Sequence, residues 1–275
     1  FLQPLGDVSQ IVAVRADITD KARVAEVIEG ASAVVNLVGI LYERGQRTFR
    51  RVHIDGARNI GEAAAAAGIR NVVQVSAIGA SLHAPAAYAR SKAAAENSLR
   101  EALPEAKIVR PSIVFGAEDG FFNLFGRLVT LSPVLPLFGG GMTRFQPVYV
   151  DDVAAAIMAC LGDPGTAGET YKLGGPSVYT FKHLMEMVRR ETQRHVWLVP
   201  MPFLFVKIGA FFLQFAPKPL LTPDQVKLMQ ADNVVASGSL GLSELGIVPT
   251  TVEVEVPTYL ALYRRGGLRG RPRFG

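Results

Sequence analysis

The sequence predicts an α/β fold: a Rossmann-like, doubly wound parallel sheet with a small, mostly helical C-terminal lobe. Three observations lead there. Over the first 160 residues, short apolar runs alternate with helical patterns at the spacing of β–α–β units, which calls for a parallel sheet covered by helices on both faces. The 275 residues are 49% apolar and only 19% charged, which excludes a disordered chain and leaves ample material for a core. Beyond Pro111 the alternation loosens into Gly- and Pro-rich loops and separate helices.

The elements follow in order. Ile11–Arg15 reads as a strand, and Thr19 or Asp20 caps a helix over Lys21–Glu29. Ala33–Leu37 is a β-branched strand. A long helix over Phe49–Ala67 ends at Gly68, which suits a left-handed cap. Asn71–Val75 is a strand, Ala87–Ala102 a helix, and Lys107–Val109 a strand stopped by Pro111. Asp152–Leu161 is a helix with an Ala-rich face, Thr170–Leu173 a strand and Phe181–Arg190 a helix. Thr222-Pro223-Asp224-Gln225 has capping-box spacing with Pro in the first turn. Residues 1–160 therefore form the sheet domain, 161–263 the smaller lobe and 264–275 a basic tail. No internal repeat is present.

The charge excludes one class of partner. Residues 264–275 hold Arg264, Arg265, Arg269, Arg271 and Arg273 and no acid. Removing these five from the 29 basic residues leaves 24, equal to the 24 acidic ones. The folded body need have no basic face, and no nucleic acid is expected. The single cysteine, Cys160, excludes a disulfide scaffold or a Cys-rich zinc site; in an Ala-rich helix it reads as a small buried hydrophobe. His53, His83, His183 and His195 have no metal-ligand spacing, so no metal is expected. Asp151 and Asp152 stand at a helix start, where acids suit the helix dipole.

Chemistry concentrates at Tyr88-Ala-Arg-Ser-Lys92, continued to Glu96. Tyr88 and Lys92 are four apart on a helix and share a face. An ammonium beside a phenol lowers its pKa, which would make Tyr88 a general acid or base, with Lys92 also able to hold a ribose hydroxyl. A lone Tyr-x-x-x-Lys is more often an ordinary surface pair. Here a strand ending in Val75-Ser76 precedes it and one ending in Arg110-Pro111-Ser112 follows.

With that context the run from Val34 to Ala154 resembles the extended and atypical short-chain dehydrogenase/reductase superfamily, the epimerase/dehydratase group. The matching pieces are Ala16–Asp20, Val35–Gly39, His53–Asn59, Val75-Ser76, Tyr88-x-x-x-Lys92, Arg110–Gly116 and Gln146–Ala154. Within it, Val35–Leu41, Phe115–Phe122, Phe145–Val153 and Leu221–Val226 are similar to one branch: the NAD(P)H-binding accessory subunits of respiratory complex I (alpha subcomplex, subunit nine) and their bacterial relatives. The resemblance implies NAD or NADP as cofactor. It implies Asp17 and Ile18 by the adenine, Val38 and Gly39 along the ribose and phosphate side, and Ser76, Tyr88 and Lys92 near the nicotinamide ribose. Pro111 and Ile113 would flank the nicotinamide ring. For Asp17 a helix cap is the rival reading, and for Gly39 and Pro111 turn geometry alone.

Two departures stand out. No Gly-x-x-Gly-x-x-Gly occurs, and Gly139-Gly140-Gly141 precedes no helix and reads as a plain turn. The family order places the glycine loop before Phe1, so the expectation is a chain lacking its first βαβ unit, with poor nucleotide affinity. Ile78 stands where many relatives carry a Ser or Thr; Ser76 or Ser81 could substitute. His53 replaces a common asparagine, its expected job being core packing or a backbone hydrogen bond.

Phe203–Phe215 is nearly all apolar; Lys207 and Gln214, seven apart, share one narrow stripe. At 13 residues it is too short to span a bilayer, which takes about 20. It is either a helix buried between lobes or a surface that docks on a respiratory-complex or other membrane-protein partner or on lipid, or lines a lipophilic pocket. The arginine tail is either a solvated terminus or an attraction for anionic lipid. The expected location is cytoplasmic, peripheral at the inner face of the respiratory membrane. Three functions remain open: a nucleotide-holding accessory subunit; an NAD(P)-dependent reductase, epimerase or dehydratase on a lipophilic, quinone-related or sugar-derived substrate with Tyr88 as acid/base; and a nucleotide-sensing regulator.

Overall fold

The computed structural model describes residues 10–217 and 219–267. Helix α1 (Lys21–Ile28) leads to strand β1 (Val34–Asn36), a π-helical turn (Arg50–Asp55) continuous with α2 (Gly56–Ala66), β2 (Val72–Val75), α3 (Ala87–Ala102), β3 (Lys107–Pro111) and β4 (Val114–Phe115). There follow α4 (Phe122–Leu131), β5 (Val134–Phe138), β6 (Arg144–Phe145), β7 (Val148–Tyr149), α5 (Val150–Gly162) and β8 (Thr170–Leu173). The chain continues through β9 (Tyr179–Thr180), α6 (Phe181–Thr192), β10 (Trp197–Met201), α7 (Phe203–Leu213), α8 (Pro223–Leu228) and α9 (Val252–Leu260).

The main sheet has the order β1-β2-β3-β8, every pair parallel. Successive strand residues face opposite sides, and this sorts the core into two layers. Val72 and Ile108 pack beneath α1, α2 and α3 with Val24, Ile60 and Leu99. Their neighbours Val73 and Val109 pack beneath α5 with Val153, Ala156 and Cys160. Both faces are covered, as an all-parallel sheet requires. The edge strand β8 comes from the segment assigned by sequence to the C-terminal lobe.

Ile11–Arg15, expected as a strand, forms none. Val12 is 75% exposed. A strand is held by its neighbour's ladder, and the edge of β1 away from β2 has no partner among the described residues. The start of the expected Phe49–Ala67 helix also differs: it opens as a π-helix, and a normal α-helix begins only at Gly56. Gly68 does adopt the left-handed conformation past α2, with φ +72°.

The C-terminal lobe shares a core with α4 and β5, which lie in the segment assigned by sequence to the sheet domain. Phe122 and Phe125 of α4, Phe181 and Leu184 of α6, Leu135 of β5 and Leu260 of α9 pack into one cluster. Two motif acids tie this lobe to the rest. Asp152 does not merely sit in a first turn; it accepts the Thr250 backbone N–H at 2.7 Å and hydroxyl at 3.1 Å. Asp119 accepts the Tyr259 hydroxyl at 2.5 Å. The glycine run is a tight turn with positive φ at Gly139, Gly140 and Gly141. A Cβ on Gly139 would fall 2.1 Å from the Phe203 ring, so the run also lets α7 seat against β5.

Helix α7 excludes one reading of Phe203–Phe215. It is not buried between lobes. Of its side chains Val206 and Ala210 are buried, against Val226 of α8, with Phe203 half-buried beside them. Leu204, Phe205, Ile208, Phe211 and Phe212 are exposed, Phe212 at 68%. Among the described residues no helix is long and apolar enough to cross a membrane. Of the arginine tail, residues 268–275 lie outside the described residues, and with them the expected lipid contact of Arg269, Arg271 and Arg273.

Glu96 of α3 and Arg110 of β3 form a buried two-pronged ion pair, with the guanidinium Nε 2.9 Å from Oε1 and a shorter second bond from Arg110 to Oε2. Removing one partner strands the other charge. Glu96→Ala is expected to cost about 3–5 kcal/mol in denaturant unfolding, whereas Glu96→Leu with Arg110→Met should cost much less. Equal losses in the single and double variants would contradict this account.

Candidate functional site

The site lies at the carboxyl ends of β1, β2 and β3, where ligands bind in doubly wound sheets. Strand β1 ends in Asn36, buried, whose amide donates to Gln74 Oε1 of β2 at 2.6 Å and whose Oδ1 accepts the Val38 N–H at 3.0 Å. These bonds fix the turn that carries Val38 and Gly39. A Cβ on Gly39 would sit 3.4 Å from Lys92 Nζ and 3.6 Å from His53 Nε2. At Gly39 the backbone thus passes close to Lys92 and His53, which goes beyond turn geometry alone.

Ser76 follows β2. Its N–H bonds Val109 O at 2.7 Å, while its hydroxyl is buried with no hydrogen-bond partner. A buried polar atom left unpaired is costly and marks a place where a bound group would complete the bonding. Lys92, 5% exposed, donates from Nζ to Val75 O at 3.0 Å. Burial pulls its pKa down to about 8, opposed by the charge of Glu96.

Tyr88 overturns one sequence-based expectation. Its phenol is not acidified by Lys92; burial pushes it up to about 12. The ring lies against His53 and Phe49, edge-on, with centroids 5.7 and 6.0 Å away. The ammonium beside it is engaged by Val75, and desolvation decides the phenol's state.

His53 was expected to pack or to bond backbone, and it does both. Nε2 accepts the Ile40 N–H at 2.9 Å, so the hydrogen resides on Nδ1, which donates to Ser91 Oγ at 2.8 Å. Ser91 in turn donates to Tyr88 O at 2.7 Å. The π-helical turn that carries His53 thereby links the Val38–Ile40 loop to the helix of Tyr88 and Lys92.

The predicted adenine end is a separate, open part of the cleft. Asp17 caps no helix: it accepts the backbone N–H and the hydroxyl of Thr19, both at 2.9 Å, and these bonds, with a smaller contribution from Arg51 and Arg47, hold its carboxyl below the usual range. Asp20 is the cap of α1. Ile18 is pinned by its neighbours: Asn59 donates to its carbonyl at 3.0 Å, and its side chain fills the space a Cβ on Gly56 would need. Asp17, Ile18 and Val38 line a hollow of about 620 Å³ together with Arg15, Arg47 and Arg51. The arginines were missed by sequence reasoning; Arg47 and Arg51, four apart and opposite an acid, were the available signal. Pro111 is buried at the end of β3, where its carbonyl accepts the Ile78 N–H at 3.0 Å, and Ile113 is half-buried two residues on. Ser81, offered as a substitute hydroxyl, is exposed and bonds the His83 N–H instead. A hollow of about 710 Å³ on the lobe, lined by Arg189, Arg190, Arg194, His195 and Trp197, contains none of the predicted residues.

The buried Cys160 thiol, pushed up to about 11 by burial, is inert. Among the described residues no group of His, Cys, Asp and Glu could hold a metal. For a dinucleotide the residues fit at both ends: an orphan hydroxyl at Ser76 and basic charge beside Asp17.

Burial, then the Lys92 charge, pulls the His53 pKa from 6.5 to about 4, against the Ile40 hydrogen bond, which raises it. Between these values the unfolded chain takes up a proton that the native state does not. The stability His53 supplies is thus complete above pH 6.5 and falls as pH drops toward 4, by up to about 3 kcal/mol. Denaturant titrations from pH 7 to 4 should show this loss. A His53→Gln variant with the same pH slope would locate it elsewhere.

Comparison with known proteins agrees with this architecture. Residues 4–174 match the model of the NAD dependent epimerase/dehydratase family. The chain is 37% identical, over a 289-residue alignment, to the mitochondrial NADH dehydrogenase (ubiquinone) 1 alpha subcomplex subunit 9 of Arabidopsis thaliana, covering 100% of this chain and 70% of the relative. It is 35% identical over 159 residues to a ceramide reductase of Caulobacter vibrioides, covering 56% of this chain and 48% of the relative. A dTDP-glucose 4,6-dehydratase of Streptomyces venezuelae, solved with NAD bound, superposes with a TM-score of 0.70 at 21% identity over 95% of this chain and 82% of that one, a likeness of fold. The chain belongs to the NAD dependent epimerase/dehydratase family.

Proposed function

We propose that this protein is an NAD(P)-binding accessory subunit of a respiratory NADH dehydrogenase-type assembly, its nucleotide serving structure or redox sensing. The observation that carries the reading is the state of Tyr88 and Lys92. The site keeps groups that can hold a ribose, yet its phenol is raised to about 12, its ammonium is engaged by Val75, and Ile78 offers no hydroxyl. That arrangement favours holding a nucleotide over moving a proton. Likeness along the whole chain to the plant complex subunit supports the assembly. The arginines around Asp17 favour NADP, since guanidinium groups accommodate a 2′-phosphate.

The partner surface is α7. Its exposed face of Leu204, Phe205, Ile208, Phe211 and Phe212 suits an apolar surface of a membrane-embedded subunit, holding the protein peripherally at the inner face of the respiratory membrane. The arginine tail adds attraction to anionic lipid.

A second reading has one observation behind it, the partial likeness to a ceramide reductase. In that case the protein is an active NAD(P)-dependent reductase, epimerase or dehydratase on a lipophilic or sugar-derived substrate, with Tyr88 as acid/base. The two readings separate on nucleotide release and turnover. The native protein, denatured after purification, should release NADP(H), and Tyr88→Phe should leave that content and assembly unchanged. A turnover that Tyr88→Phe abolishes would establish the second reading instead.

The docking surface is tested separately. Phe211→Glu with Phe212→Glu alters exposed positions and should leave the melting temperature unchanged, while co-purification with the membrane complex is lost. The wild-type association should survive high salt, because apolar contacts are not screened. Dissociation by salt alone would assign the contact to the basic tail.

A further inference from the structure

Helix α3 carries Tyr88 in its first turn, yet it has no cap of its own. The residue at its N-cap position, Ala86, has the extended geometry of a cap (φ −83°, ψ 133°) and no side-chain acceptor. A helix start leaves its first N–H groups unpaired, and ends that lack a cap fray. The missing acceptor comes from 137 residues away. Asp224 Oδ1 accepts the Ala87 N–H at 2.7 Å, and its Oδ2 accepts the Tyr88 N–H at 2.9 Å. One carboxylate thus holds the two amides at the start of the helix, with a charge that also complements the helix dipole.

Asp224 is itself held. It lies in the first turn of α8, whose capping box joins Thr222 and Gln225 in both directions. Val226 of α8 is fully buried against Val206 and Ala210 of α7. Arg44, in the loop after β1, bonds Pro217 O at 2.7 Å just beyond α7. Among the described residues, Lys227 on the same helix pairs with the Asp224 carboxylate, 4.0 Å away.

We infer that Asp224 is a positioning residue for Tyr88, and that α8 is the element through which the C-terminal lobe sets the geometry of the nucleotide cleft. Tyr88 sits where its helix would otherwise fray, and its place depends on the lobe that also presents α7. If α7 docks as proposed above, a partner that shifts α7 and α8 alters nucleotide affinity, and nucleotide occupancy alters docking by the same factor. The placement of Tyr88 by Asp224 does not depend on that reading.

Amide hydrogen exchange over residues 86–92, with NADPH and NADH affinities measured on the same samples, tests the inference in the full-length protein. Asp224→Ala should speed exchange at Ala87 and Tyr88 and weaken nucleotide binding by about tenfold, as for a lost cap. Asp224→Asn, which keeps acceptor oxygen but loses charge, should fall between. Adding Ala86→Ser to Asp224→Ala places a cap in the helix's own chain and should recover both readouts. A purely structural role for Asp224 would not be rescued from a site on another helix. Unchanged exchange in Asp224→Ala, or a loss that Ala86→Ser leaves uncorrected, overturns the inference. A wild-type protein that binds neither nucleotide removes the functional proposal, and the exchange data still decide the role of Asp224.

Discussion

The seat of α3 on the sheet is the constraint on which the rest of the site depends. Three contacts set it, and each sits at a different level of the helix. Asp224 holds the amides of its first turn, Lys92 reaches Val75 O at the end of β2, and Glu96 grips Arg110 on β3. The last two are buried charges, which are costly unless each finds its partner. Geometry is therefore unforgiving: sliding α3 by one turn would strand an ammonium and a carboxylate together. That intolerance is what aligns Tyr88 with His53 and Lys92 with Gly39. Small side chains permit the close approach, as a Cβ on Gly61 of α2 would meet Leu99 and Ala102 of α3 at 3.1 Å.

The same desolvation that locates these groups changes their chemistry. Lys92 loses basicity, His53 is kept neutral, and Tyr88 becomes a poorer acid. Reading Tyr-x-x-x-Lys as a lowered phenol considers the charge term alone. Burial acts on the tyrosine in the opposite direction and dominates. The result is a cleft rich in hydrogen-bonding groups, among them the buried Ser76 hydroxyl, which no protein group satisfies among the described residues.

Local signals were legible and distant ones were not. The helix over Ala87–Ala102, the strand Thr170–Leu173 and the capping box at Thr222 could be read because propensity, periodicity and caps act within a few residues. Ile11–Arg15 has the composition of a strand, but ladder bonds belong to a pair, and composition does not reveal whether the pair exists. The π-helical turn at Arg50–Asp55 is set by His53 reaching Ile40 and Ser91, which no propensity encodes. Asp224 looked complete as part of its own capping box. Its second role depends on Ala86 lacking an acceptor, and those two residues meet only in three dimensions. The arginines of the adenine end were hidden for the same reason: the net charge of the body is zero, and balance over a chain says nothing about local accumulation.

The apolar helix shows how a balanced choice in sequence becomes decidable. Composition allowed Phe203–Phe215 to be buried or displayed, because a 13-residue apolar segment fits either. Burial requires a second apolar surface of matching width, and the lobe offers only a narrow one. Val206 and Ala210 fill it, and they are four apart, a single stripe. The opposite arc is left in solvent, including two phenylalanines that touch each other, Phe211 and Phe212. From Thr192 to Pro223 the chain also carries no Asp or Glu, so nothing on this segment opposes an apolar or anionic neighbour. Leaving so many large apolar groups in water wastes the burial energy of about 1.5–3 kcal/mol that each could contribute. The fold beneath this surface is anchored elsewhere, through α8 and its carboxylate on the Tyr88 helix. Display and anchoring are therefore parts of one arrangement, in which the apolar helix α7 packs on α8, the element that holds the start of the Tyr88 helix.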